Sequence, residues 1–403
     1  MRRLRVARQL LRLIATVKSG LRWALLSGSL VAGVLGSSVV QGAFPKSTCG
    51  RVGATYAEKG FLYTCQRKAT RLVWVKVGQA QNSSTSSTTT ATTQVKSEPK
   101  VPTSWADIES NYLGVAFGAW KRSSAAISFG TPKNPTASLV DGPNVVVTNS
   151  NPDASLRQVS RLFSSIRQPT KVVILRYGFS DVTWARARWA DTFAGQDSSV
   201  SSEIQGSCGS ATTCWGGSAR MTSSGEGWIQ LASMEANRTS SRHTSGALEA
   251  HEYVHLVQYA QFLGGPARTT LLPRWLLEGM ATWSQAAVLG STSYDAYAAE
   301  RAHEIAGLRK SAQWIETFLA PVGTSWAPWN VYDSTTDSWR IYDIGLLATE
   351  VLVSLKGADE VMSLYADVAR GESFDNSFRS RFGLAWSDAY PIIARVIARQ
   401  IGT

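Results

Sequence analysis

The sequence is poor in cysteine, histidine and charge. It has four cysteines and four histidines among 403 residues, and 17% of its residues are charged. No two cysteines have the Cys-x2-Cys spacing of zinc ribbons, so the cysteines do not predict a metal site. A hydrophobic fraction of 44% together with the low charge excludes a wholly disordered chain. The length predicts two or three domains.

Acidic residues are absent from the first 43 positions, and the charge of the chain is therefore uneven. Residues 1–43 carry seven basic residues, and residues 44–100 carry nine basic and two acidic residues. Residues 101–403 carry 25 basic and 27 acidic residues, so the formal net charge of +12 belongs to the N-terminal part. A nucleic-acid enzyme is expected to have its basic patch on the working domain. We therefore expect no nucleic-acid partner.

Residues 1–43 have the order of a secretory signal. Seven basic residues in the first 22 positions precede an uncharged stretch, Trp23 to Ala43, that ends in small residues. No clean Ala-x-Ala cleavage site is present, and the stretch is barely long enough to span a bilayer. Two outcomes stay open, a cleaved signal peptide or an uncleaved anchor as the only contact with a membrane. Because positive residues stay inside, we expect an exported bacterial protein, either extracellular or at the cell surface.

Composition divides the rest of the chain into three parts. Residues 44–78 contain a cysteine pair and alternating apolar residues, which predict a small β unit of two strands held by one disulfide. Residues 79–100 are rich in serine and threonine and are predicted to be a flexible linker. Residues 101–403 are predicted to be the main domain.

The four cysteines suit an exported protein, in which disulfides persist. Four cysteines allow three pairings, and the local one, Cys49–Cys65 and Cys208–Cys214, is the simplest. The spacing within residues 44–78 resembles a short Cys-pair module found near the ends of secreted actinobacterial proteins. The basic residues of 44–100 have two interpretations, contact with an anionic cell envelope or a solvated spacer.

The main domain is predicted to be α+β, with strands in its first half and helices after residue 244. Patterns of β-branched and apolar residues predict strands at Asn144–Thr148, Lys171–Tyr177 and Trp228–Ser233. We expect the last of these to be an edge strand that pairs with an extended peptide.

Two of the four histidines, His251 and His255, lie in the segment Gly246–Leu263, which has helical periodicity. Positions four apart lie one turn apart on the same face of a helix, so both imidazoles can bind one zinc ion. Glu252 is next to them and is placed to take a proton from a metal-bound water. Because histidine is rare in this chain, chance is a poor explanation of the spacing.

A catalytic zinc site needs a third protein ligand and an open position. Glu278 is the candidate, in a segment from Pro273 to about Leu289 with a helical pattern. Two antiparallel helices joined by residues 264–272 can bring it to the same ion. The competing interpretation is a solvated carboxylate at a helix start.

The His-Glu-x-x-His motif at 251–255, followed by Trp-Leu-x-Glu-Gly-x-Ala at 275–281, resembles the gluzincin zinc metallopeptidases, which are peptidase MA-like and include the aminopeptidase N and glycyl aminopeptidase group. The resemblance implies a thermolysin-like catalytic domain, with a small mixed sheet followed by a helical bundle. It implies one zinc ion held by His251, His255 and Glu278, with Glu252 as general base. Tyr342, in a Tyr-x-x-Gly context that opens an apolar helix running to about Leu355, is implied to stabilise the oxyanion.

The sequence therefore predicts a secreted or surface-tethered zinc-dependent peptidase acting on a peptide or protein substrate. Twenty-two residues separate His255 from Glu278, more than in the aminopeptidase relatives, and their Gly-x-Met-Glu-Asn segment is not clearly present. Endopeptidase and exopeptidase activity both stay open. The alternative function is a catalytically inactive envelope-binding protein on a peptidase scaffold.

Overall fold

The chain divides into two compact units, Met1–Thr93 and Gln94–Thr403. The predicted signal segment, Cys49 and most of the predicted linker lie outside the described residues. The computed structural model describes residues 55–58, 61–68, 71–79, 98–133, 136–147, 149, 151–193, 200–233, 241–267, 269–321 and 339–403.

The first unit contains an antiparallel sheet of three strands, β1 (Thr55–Glu58), β2 (Phe61–Lys68) and β3 (Arg71–Gln79), in that order. The prediction of a β unit is correct, but two strands were predicted and three are present. Cys65 lies in β2 opposite Trp74 of β3.

The second unit is mixed α/β and mostly helical. Its strands are β4 (Ala137–Asp141), β5 (Lys171–Tyr177), β6 (Gly217–Met221) and β7 (Glu226–Ala232). Its α-helices are α1 (Val115–Phe129), α2 (Pro152–Leu162), α3 (Val182–Thr192), α4 (Val200–Ser207), α5 (Ser241–Ser245), α6 (Ala247–Phe262), α7 (Arg274–Leu289), α8 (Tyr294–Glu304), α9 (Ala312–Leu319), α10 (Arg340–Lys356), α11 (Ala358–Ala369), α12 (Phe374–Phe382) and α13 (Trp386–Ile401).

The four strands of this unit form a small mixed sheet in the order β4-β5-β7-β6. β4, β5 and β7 run parallel, and β6 is antiparallel to β7. β5 has the predicted bounds, and its residues 172–177 are all buried, as expected for an inner strand of a parallel sheet. The predicted disulfide between Cys208 and Cys214 is present in the loop before β6.

Two of the three strand predictions were wrong, one in its location along the chain and the other in its place within the sheet. Residues 144–147 are not a strand, because the main-chain and side-chain nitrogens of Asn144 both donate to Asp181 and the chain turns there. The strand is β4, a few residues earlier. β7, predicted as an edge strand, is an inner strand between β5 and β6, and β6 is the edge next to it.

The helical part contains the long helices α6, α7 and α10, which are buried on nearly every face. α7 begins after Pro273, whose lack of an N–H suits a helix start, and it ends at Gly290. Trp275 and Trp283 of α7 are fully buried, and Trp275 stacks on Trp386 of α13 at 5.2 Å between ring centroids. These tryptophans are core residues and fix α7 against the rest of the unit.

α7 and α10 cross at a pair of glycines. A Cβ atom on Gly279 would lie 2.1 Å from the carbonyl carbon of Gly345, and a Cβ on Gly345 would lie 2.4 Å from the carbonyl oxygen of Trp275. Only glycine permits backbones to approach so closely. Within the described part of the chain, no helix is long and apolar enough to cross a membrane.

Candidate metal centre

α6 presents two histidines on one face. His251 and His255 lie in the middle of the helix and are buried, as the helical spacing predicts. Their ring centroids are 4.9 Å apart, and their Nε2 atoms are 3.2 Å apart. Both rings therefore direct the same nitrogen towards one point.

α7 brings a carboxylate to that point. Oε2 of Glu278 lies 3.6 Å from Nε2 of His251 and 3.3 Å from Nε2 of His255. Its other oxygen, Oε1, lies 3.6 Å from a guanidinium nitrogen of Arg274. Glu278 is buried, so it is not the solvated carboxylate of the competing interpretation. The three predicted ligands are close enough together to hold a metal ion.

The distances among these three atoms suit a small tetrahedral ion. Bonds of about 2.0–2.1 Å at tetrahedral angles place two ligand atoms about 3.3–3.4 Å apart. The three separations, 3.2, 3.3 and 3.6 Å, lie close to that value. Two imidazoles and one carboxylate form a donor set that suits zinc better than calcium or magnesium, which prefer oxygen ligands.

Burial and charge shift the pKa of each ligand. Burial lowers the pKa of His251 to about 4. Burial also acts to lower the pKa of His255, but the charges of Glu278 and Glu252 outweigh it and raise that pKa to about 9. For Glu278 burial acts to raise the pKa, but His255 and His251 outweigh it and hold the pKa well below its usual range. A metal ion would displace the proton shared by this group, so its binding would release protons.

Glu252 follows His251 on α6, and its carboxylate lies next to Gly217 at the start of β6. It is buried, and burial raises its pKa to about 7, which suits a proton acceptor at neutral pH. A Cβ atom on Gly217, the first residue of β6, would lie 2.9 Å from Oε1 of Glu252. The glycine therefore lets the start of the edge strand lie directly against this carboxylate.

Tyr342 lies beside the ligands in the first turn of α10, which begins two residues before it, close to the predicted helix start. Its ring centroid is 6.0 Å from that of His251, and it stacks on Trp339 at 5.6 Å. Trp339 is 62% exposed, so this aromatic pair borders the surface.

Two further residues contact the ligands and were not predicted. The ring of Tyr259 stacks on that of His255 at 6.1 Å, and the side chain of Gln258 is hydrogen-bonded to the same imidazole. They follow His255 by four and three positions, so the helical spacing that paired the histidines contained the signal for both.

No family model, no curated protein and no solved structure matches the chain. The candidate site is therefore defined by its own residues.

Proposed function

We propose that the protein is a zinc-dependent peptidase of the gluzincin type, with a thermolysin-like catalytic domain in residues 101–403. The observation that carries the proposal is the convergence of Nε2 of His251, Nε2 of His255 and Oε2 of Glu278 on one point, with Glu252 adjacent. Three protein ligands leave one tetrahedral position for water or substrate, which distinguishes catalytic from structural zinc sites.

A bound zinc ion would polarise the scissile carbonyl and lower the pKa of a water molecule. Glu252 would accept a proton from an attacking water and later donate it to the leaving amine. The hydroxyl of Tyr342 donates a hydrogen bond to the oxyanion that develops on the carbonyl oxygen.

β6 is the element proposed to bind the substrate. In the described part of the chain it pairs with β7 on one side only, and its first residue lies against Glu252. An extended peptide can add to such an edge through main-chain hydrogen bonds, with its scissile bond near the metal. The sequence predicted this role for Trp228–Ser233. Because β7 is an inner strand, we propose the role for β6 instead.

The location and partners belong to the same proposal. Residues 1–43 are the export signal or an uncleaved anchor, and the protein acts outside the cytoplasm. Residues 44–100, with nine basic and two acidic residues, contact the anionic envelope. The substrate is a peptide or a protein.

Metal analysis combined with digestion of a peptide library tests the function. We expect one zinc ion per chain and new peptide termini after incubation. Glu252→Gln keeps the zinc because Glu252 is not a ligand, and it lowers the rate of hydrolysis by about 10²–10⁴-fold because the base is lost. Full hydrolysis by this variant would rule out the mechanism.

Glu249→Gln is the matched control for that variant. Glu249 is a buried carboxylate on the same helix, and its Oε1 accepts a hydrogen bond from Asn149 at 2.8 Å, away from the metal ligands. We expect it to keep both zinc and activity. Absence of zinc and of hydrolysis in the unmodified protein would instead favour the inactive envelope-binding protein.

A further inference from the structure

The side chain of Gln258 joins three elements around the metal centre. It lies on α6, three positions after His255, and is fully buried. Its Oε1 is 2.8 Å from Nδ1 of His255. Its Nε2 donates to the carbonyl oxygen of Leu277 on α7 at 2.9 Å and to the hydroxyl of Tyr365 on α11 at 3.1 Å.

The partner on α7 determines which way the amide of Gln258 points. A main-chain carbonyl oxygen can only accept a hydrogen bond, so the atom facing Leu277 has to be the amide nitrogen. The amide oxygen then faces His255, and an oxygen can only accept from the ring. Nδ1 of His255 therefore carries a proton, which leaves the lone pair of Nε2 for a metal ion.

We infer that Gln258 is a positioning residue, which fixes the tautomer and ring orientation of His255 so that Nε2 points at the metal. The inference rests on the proposed metal centre. Leu277 immediately precedes Glu278, so the same amide also ties the His255 ring to the main chain beside the third ligand. A rigid ligand set binds its metal more tightly, because less motion is lost when the ion enters.

The tautomer can be measured in the unmodified full-length protein loaded with zinc. The chain has four histidines, so ¹⁵N labelling of histidine gives a spectrum with few rings. We expect the ring of His255 to be protonated at Nδ1 and bound to zinc through Nε2. A ring protonated at Nε2 or bound through Nδ1 would overturn the inference.

Two substitutions distinguish the effect of the hydrogen-bond acceptor of the Gln258 amide from the effect of its donor. Gln258→Met keeps the length of the side chain and loses both hydrogen-bonding groups, and we expect zinc to bind about 10–100-fold more weakly. Gln258→Glu keeps an acceptor for Nδ1 and loses the donor to Leu277, and we expect zinc affinity within about tenfold of the unmodified protein. Affinity is measured by competition with a chromophoric chelator.

Gln261→Met is the control on the same helix. Gln261 donates to the carbonyl oxygens of Arg167 and Val257 and touches no ligand, so we expect unchanged zinc affinity. Equal affinity in Gln258→Met and the unmodified protein would refute the positioning role. If Gln258→Glu binds zinc as weakly as Gln258→Met, the inferred control of the His255 tautomer is refuted, because loss of the donor to Leu277 alone would then explain the weaker binding. Failure of the unmodified protein to bind zinc would instead refute the proposed function.

Discussion

Two tyrosine rings lie against the two histidine ligands. Tyr342 lies beside His251, at 6.0 Å between ring centroids, and Tyr259 stacks on His255 at 6.1 Å. The stacked tyrosine comes from the same helix as the histidines, whereas Tyr342 enters from α10. Tyr342 stacks on Trp339, which is 62% exposed, so it is the ring nearer the surface that we propose for the oxyanion contact.

Tyr342→Phe tests this assignment. The substitution removes one hydroxyl and leaves the ring, so we expect kcat to fall about 10²–10³-fold because one oxyanion donor is lost. Zinc content and KM should change little. Steady-state kinetics on one cleaved peptide provide the measurement.

Tyr259→Phe is the matched variant for the same kinetics. It also removes one hydroxyl from a ring that touches a ligand histidine, and we expect a much smaller effect on kcat. A larger loss in Tyr259→Phe than in Tyr342→Phe would show that the roles are assigned to the wrong ring.

At the residue scale, helical spacing predicted the ligands on α6 because an i, i+4 relation fixes the geometry within one helix. The prediction of Glu278 as third ligand rested on flanking residues that resemble those of gluzincins, since no local rule relates Glu278 to α6. Helical spacing places Gln258 beside His255, but its contacts with Leu277 of α7 and Tyr365 of α11 are non-local, and sequence spacing does not give them.

At the scale of elements, the crossing of α7 and α10 sets the position of two site residues at once. Gly279 follows Glu278, and Gly345 lies one turn after Tyr342. Because these glycines let the two backbones touch, the carboxylate and the phenol reach the same side of α6. A wider crossing would move both away from His251.

Gly345→Ala should therefore lower both the stability of the fold and the affinity of the site for zinc. Its Cβ would lie 2.4 Å from the carbonyl oxygen of Trp275, a main-chain atom that cannot turn aside. We expect a loss of about 1–3 kcal/mol in the free energy of unfolding, together with weaker zinc binding. Denaturant unfolding and chelator competition measure the two effects.

Gly206→Ala is the control for that substitution. Gly206 lies in α4, and a Cβ atom there would have no atom within 4 Å. We expect stability to be unchanged or to rise by up to about 1 kcal/mol, since alanine favours a helix. If Gly345→Ala behaves in the same way, the close crossing is not required.

Local patterns predicted the bounds of β5 and, to within one residue, those of α7, because buried apolar residues mark both clearly. The strand predicted at 144–148 was wrong because the main-chain nitrogen of Asn144 donates to Asp181, 37 positions away, and the chain turns there. The edge position expected of β7 failed for a similar reason. β7 is an inner strand because β6 pairs along its free side, and the sequence of β7 alone does not show that pairing.

At the scale of the whole molecule, basic charge and the metal centre lie in different parts of the chain. The nine basic residues of 44–100 precede the main domain, which has nearly equal numbers of acidic and basic residues. The excess of basic residues and the candidate metal ligands therefore belong to different segments of the chain. The uneven charge could be read from the sequence. The packing of α7 against α10 could not, because it depends on the contact between Gly279 and Gly345.

The most direct test of the central claim is the dependence of peptide hydrolysis on zinc. The full-length protein is stripped of metal with a chelator, and zinc is added back in steps while hydrolysis of a peptide library is followed. We expect no hydrolysis without metal and a linear rise that ends at one zinc ion per chain. Hydrolysis that persists in the metal-free protein, or none at any zinc level, would contradict a zinc peptidase centred on His251, His255 and Glu278.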